Sequence, residues 1–141
     1  MGFLHFNVRS LVTNGDTLSN WFNTAKPDIV ALSETWLKET TSDNIQVPGF
    51  NLFRTDRKCG RCGGVALYIS NKFQGNKLQS VFIPRQFEFL AVQIIVANAP
   101  LTIICCYRPP SALTQSLGNL TDLISKYTHT ELLMMGDLNW D

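Results

Sequence analysis

Between Asp28 and Glu34 the chain reads DIVALSE, an almost unbroken apolar run closed at both ends by a carboxylate. A strand with one solvated face alternates apolar and polar residues, whereas an unbroken run needs cover on both faces. Two longer runs, FEFLAVQIIVA (87–97) and LTIICCY (101–107), repeat the demand. They are separated by little more than NAP, as in a hairpin. These runs call for layers on both sides of a sheet, which 141 residues with 45% hydrophobic content can supply within one domain.

The remaining elements are placed by the same logic. GFLHFNV reads as a first strand. GDTLSNWFNTAKP (15–27) reads as a short helix, with Leu18, Trp21, Phe22 and Ala25 at helical spacing, Asn14 or Asp16 as cap and Pro27 as stop. Strand, helix and strand predict a β-α-β crossover between parallel neighbours. VPGFNLFRTDR is a turn and a strand, and GGVALYIS another strand. A second helix is expected over Ser111–Tyr127, with its stripe at Leu113, Leu117, Leu120, Leu123, Ile124 and Tyr127. Leu132–Met135 is the last strand. The class is α/β with a largely antiparallel middle.

Charge excludes little. The net charge is +1, so any basic surface must come from local clustering. No apolar run approaches the roughly 20 residues of a membrane span, and the opening MGFLHFNVRS is no secretory leader. The expected setting is soluble and intracellular. CGRC (59–62) lacks the second ligand pair that a structural zinc needs. Cys105 and Cys106, adjacent in a strand, should point to opposite faces, one buried and one less so.

Polar residues cluster where apolar runs end. Asn7 follows FLHF, Glu34 follows DIVALS, Tyr107 and Arg108 follow LTIICC, and Asp137 and Asn139 follow LLMMG. Strand ends from distant parts of a chain can converge at one edge of a sheet. Two carboxylates and two amides, with no suitable Cys or His cluster, suit a hard cation such as Mg2+ or Mn2+.

Five stretches, LHFNVRSL, KPDIVALSETWL, GFNLFRTDRKCGRCGGVALYIS, CCYRPP and LLMMGDLN, run in an order similar to the endonuclease/exonuclease/phosphatase superfamily. The Arg-rich stretch ending in GGVALYI most resembles the endonuclease domain of non-LTR retrotransposons. The resemblance implies a four-layer α/β sandwich of the deoxyribonuclease I type. It implies a Mg2+-dependent enzyme that nicks DNA for target-primed reverse transcription, partnered by a reverse transcriptase domain and nuclear if active. It also implies residue roles. Glu34 would bind the metal with help from Asn7, Tyr107 would contact the phosphate, Asp137 would orient or deprotonate the attacking water, and Asn139 would position the phosphate. Arg9, Arg57 and Arg108 are the candidates for phosphate contacts, with Arg54, Lys58 and Arg61 nearby. The other readings are a phosphoinositide- or sphingolipid-type phosphodiesterase and a non-catalytic DNA- or metal-binding relic.

The chain departs from the pattern in two places. The family continues past GDxN to a further Asp and a Ser-Asp-His-type motif, whereas the histidines here are His5 and His129. The expectation is therefore a partial domain over 1–141, its second half beginning near residue 131, inactive as an isolated chain. Its first sheet would be present and its second mostly missing, leaving one inner face bare and the chain marginal in stability. The other departure is Cys62, which stands where the family carries a glycine run.

Overall fold

The computed structural model describes residues 1–41 and 45–140. Along the chain the elements are β1 (Phe3–Asn7), α1 (Leu11–Ala25), β2 (Ile29–Ser33), β3 (Phe50–Thr55), β4 (Val65–Ser70), β5 (Gly75–Ile83), β6 (Phe87–Val96), β7 (Ala99–Tyr107), α2 (Ser116–Ser125) and β8 (Glu131–Asp137). The strands form two four-stranded sheets, ordered β1-β2-β4-β3 and β5-β6-β7-β8. β1 runs parallel to β2, as the crossover predicts, and β8 runs parallel to β7. All the other pairings are antiparallel.

The α/β sandwich class holds, but the expected division of strands does not. The second sheet is not mostly missing. β5, β6 and β7 already form it, and β8 adds to its edge. The inner face of the first sheet is accordingly covered. Ile29, Leu67 and Ile69 meet Leu90, Val92, Ile94 and Ile103 in a shared core, all 0% exposed. Each such side chain stabilises by roughly 1.5–3 kcal/mol through burial. The anticipated bare inner face is absent from this packing.

The outer faces carry the helices. α1 lays Leu11, Leu18 and Phe22 on Val30, Leu32, Ala66 and Tyr68 of the first sheet. α2 lays Leu120 and Leu123 on Phe87, Phe89, Ala91 and Ile104 of the second. This double cover explains the unbroken runs, and it corrects the cysteine expectation. Cys105 lies in the core between the sheets and Cys106 beneath α2, both fully buried.

Both helices differ from expectation in extent. α1 begins at Leu11, capped by Ser10, whose Oγ accepts from Thr13 N at 3.3 Å. Asn14 and Asp16 are inside the helix, and Asn14 Nδ2 donates to the carbonyls of Val8, Arg9 and Ser10. α2 starts five residues later than expected, at Ser116. β5 had no sequence signal. It is an edge strand, and a bulge between Lys77 and Gln79 breaks its alternation.

Candidate active site

The crossover places the C-terminal ends of β1 and β2 side by side, and those of β7 and β8 likewise. β1 and β8 are edge strands of different sheets and lie against each other, as do β2 and β7. Four strand ends therefore meet at one end of the sandwich, delivering Asn7, Glu34, Tyr107 and Asp137.

Their hydrogen bonds form one network. Asn7 Nδ2 donates to Glu34 Oε1 and to Asp137 Oδ2, each at 3.2 Å. The Tyr107 hydroxyl donates to Glu34 Oε1 at 2.8 Å. Burial of its ring, then the hydrogen bond and charge of Glu34, raise the Tyr107 pKa, so the hydroxyl stays a donor. Glu34 itself has a φ of 54°, a left-handed conformation uncommon for a side-chain-bearing residue. Backbone bonds hold it there. Ser10 N donates to its carbonyl at 3.0 Å, and Thr35 N and Trp36 N donate to Gly64 O and Gly63 O at 3.4 and 2.9 Å.

Asp137 is presented by a close strand approach. A Cβ at Gly136 would lie 1.9 Å from the Cys106 carbonyl oxygen, and φ there is +146°. Only glycine lets β8 sit this close to β7. Beyond it, Asp137 Oδ1 accepts from Asn139 N at 3.1 Å, a local turn that aims the carboxylate.

Asn139 and Arg108 serve this turn. Asn139 Nδ2 donates to Arg108 O at 2.7 Å. Arg108 donates from Nε to Ser116 Oγ at 2.8 Å and from Nη1 to the carbonyls of Leu138 and Asn139 at 3.3 and 3.2 Å. The two residues brace the Asp137 turn against α2. Arg9 stands exposed in the turn after β1, next to Asn7. Arg54 is engaged elsewhere, donating to Lys38 O and pairing with Asp56 at 3.0 Å. Lys58 and Arg61 are exposed on the loop before Gly63. His5 lies on β1 with Nε2 3.2 Å from Ser33 Oγ. Burial lowers its pKa, and the Asp137 charge pulls it partly back.

One residue of the site escaped the sequence. Glu88, inside the run FEFLAVQ, is fully buried and pairs with Arg57. A carboxylate one position into an apolar strand was the available signal, since ionised groups are rarely buried without a partner.

The donor set fits a hard divalent cation. Glu34 Oε2 and Asn7 Oδ1 accept no hydrogen bond from the described residues, and the two carboxylates bracket a single amide nitrogen. No cluster of three or more His, Cys, Asp or Glu suited to a metal occurs among the described residues.

The chain is thus a two-sheet α/β sandwich with an amide-bridged carboxylate pair at its strand ends. The chain belongs to the endonuclease/exonuclease/phosphatase family, which residues 4–141 match. No curated protein sequence matches the chain significantly. Among solved structures, the endonuclease domain of TRAS1, a telomere-specific non-LTR retrotransposon, superposes with a TM-score of 0.73 at 16% identity, over 99% of this chain and 60% of that one. D. rerio TDP2 complexed with a single-strand DNA product gives 0.69 at 15% identity, over 100% and 61%. The 3′ phosphatase NExo from Neisseria, bound to a product DNA hairpin, gives 0.67 at 16%, over 99% and 58%. At these identities the likeness is one of fold, and the chain spans about 60% of the length of these structures. Among the described residues, no helix is long and apolar enough to cross a membrane.

Proposed function

We propose that this chain supplies the metal-binding and water-orienting part of a Mg2+-dependent DNA phosphodiesterase of the retrotransposon-endonuclease type. The observation that carries the reading is the Asn7 amide held between the carboxylates of Glu34 and Asp137. In this reading Glu34 holds the cation, with Asn7 Oδ1 beside it. The cation would supply Lewis-acid stabilisation of the phosphate oxygens. Asp137, fixed by Asn139 N, orients the attacking water. Tyr107 donates from the opposite wall. DNA as the substrate is supported by two neighbours of the same fold whose structures hold DNA products. The retrotransposon assignment rests on the Arg-rich stretch before GGVALYI and on likeness to the TRAS1 domain. A reverse transcriptase domain is the partner this assignment implies.

The test uses supercoiled plasmid and a short labelled duplex, each with and without Mg2+. The reading expects Mg2+-dependent duplex binding that is lost in Glu34→Ala. It also expects any nicking to disappear in both Glu34→Ala and Asp137→Ala. Binding indifferent to Mg2+ and to Glu34, or nicking that survives both substitutions, would overturn it.

A further inference from the structure

The Arg57–Glu88 pair lies outside the hydrogen-bond network described above, yet it is built into the same end of the sandwich. Glu88 is one of the inward-facing residues of β6, in line with Leu90, Val92 and Ile94, and it is 0% exposed. Its register partner on β7 is Tyr107, so the two side chains share a face. Arg57 follows β3 of the first sheet and crosses to the second, where its Nε donates to Glu88 Oε1. The pair thus ties the sheets together beside Tyr107.

Gly63 forms the wall against it, and Gly64 packs on the neighbouring Thr35. A Cβ at Gly63 would lie 2.3 Å from Arg57 Cζ and 2.4 Å from Glu88 Oε1, and one at Gly64 would lie 2.5 Å from Thr35 Oγ1. The same glycines accept the backbone bonds that hold the Glu34–Trp36 turn. The guanidinium is therefore seated between a buried carboxylate, a glycine wall and the site tyrosine. Its side chain is 20% exposed, and Nη2 has no acceptor among the described residues. Burial opposes the Arg57 charge, and Glu88 more than offsets it, so its pKa is raised.

We infer that Glu88 and Gly63 are positioning residues. They hold Arg57 as a fixed cationic fork whose free Nη2 edge meets a DNA phosphate beside Tyr107. An arginine fork so held loses little freedom on binding phosphate, unlike the exposed Lys58 and Arg61 of the same loop. The inference rests on the nuclease reading above for the identity of its ligand.

The decisive experiment is anisotropy of a short fluorescein-labelled DNA duplex across a salt series, with the unaltered chain, Arg57→Ala, Glu88→Gln and Gly63→Ala. Loss of one phosphate contact should lower the salt slope by about 0.9. Glu88→Gln deletes a negative charge, so charge balance alone would tighten binding. Positioning requires the opposite: roughly tenfold weaker binding, the reduced slope, and no further loss when it is combined with Arg57→Ala. Gly63→Ala, which keeps both charges, should weaken binding in the same way. Equal or tighter binding by Glu88→Gln at an unchanged slope would overturn the inference, as would normal binding by Gly63→Ala.

Should either variant fail to fold, the unaltered chain decides by NMR. The Arg57 Nε–H resonance should shift on duplex addition, and an unmoved resonance overturns the inference. A chain that binds DNA through Glu34 and Mg2+, but ignores these substitutions, refutes the positioning role alone. A chain that binds no DNA refutes the nuclease reading and the positioning role together.

Discussion

Asn7 Nδ2 lies 3.2 Å from Asp137 Oδ2, joining residues 130 positions apart on the facing edges of two different sheets. The same nitrogen reaches Glu34. One exposed amide thus sets the spacing of the two carboxylates. Because it is exposed, Asn7→Ala should change stability by no more than about 0.5 kcal/mol. Loss of an outer hydrogen-bond partner typically costs 10–100-fold in metal affinity. Calorimetric titration with Mg2+, beside a thermal melt, should show that contrast.

Tyr107→Phe isolates the second donor to Glu34. The ring is 5% exposed and part of the inter-sheet core, so the phenyl retains the packing. Only the 2.8 Å hydroxyl contact is lost. Mg2+ affinity should fall by about tenfold, with Glu34 still held by Asn7. The double variant Asn7→Ala/Tyr107→Phe should lose more than either alone, because it frees the carboxylate from both sides.

Gly136→Ala should be severe for a backbone reason. The added methyl would meet the Cys106 carbonyl at 1.9 Å. Positive-φ strain costs about 1–3 kcal/mol, and overpacking a further 1–3. A denaturant midpoint that falls steeply, together with weakened Mg2+ binding as Asp137 is displaced, is the expected outcome. Gly118→Ala is the control. It has nothing within 4 Å of a new Cβ and sits in α2, so it should be neutral or stabilising.

Thiol labelling tests the closed sandwich. Cys59 and Cys62 are exposed, while Cys105 and Cys106 are buried. Burial raises both strand thiols, Cys106 to about 12. At pH 8 a thiol reagent should modify Cys59 and Cys62 quickly and leave the other pair untouched until denaturant is added. Rapid reaction of all the thiols would mean that the second sheet does not cover the first.

The strands and the residues at their ends were legible because both are local properties. An apolar run that stops at Asn7, Glu34, Tyr107 or Asp137 announces a strand and what it delivers. The first helix was legible in its apolar stripe but not in its start, because Ser10 caps it from a left-handed backbone with a φ of 87° that no composition reveals. β5 escaped because an edge strand interrupted by a bulge carries no alternation to detect.

The tertiary structure alone decided which strands share a sheet. Whether β8 joins β7 or stands apart depends on Gly136 admitting it against the Cys106 carbonyl, a contact 30 residues away in sequence. The same pairing adds Met135 to the edge of the core that β6 and β7 close over Ile29 and Leu67. It also brings Asp137 to Asn7, while the β6–β7 register sets Glu88 beside Tyr107, where Arg57 can reach it. By itself the sequence determined the chemistry on offer: two carboxylates, their amides, a tyrosine and a basic loop. How these groups share bonds is a matter of strand register across two sheets, which non-local packing decides and local sequence does not encode.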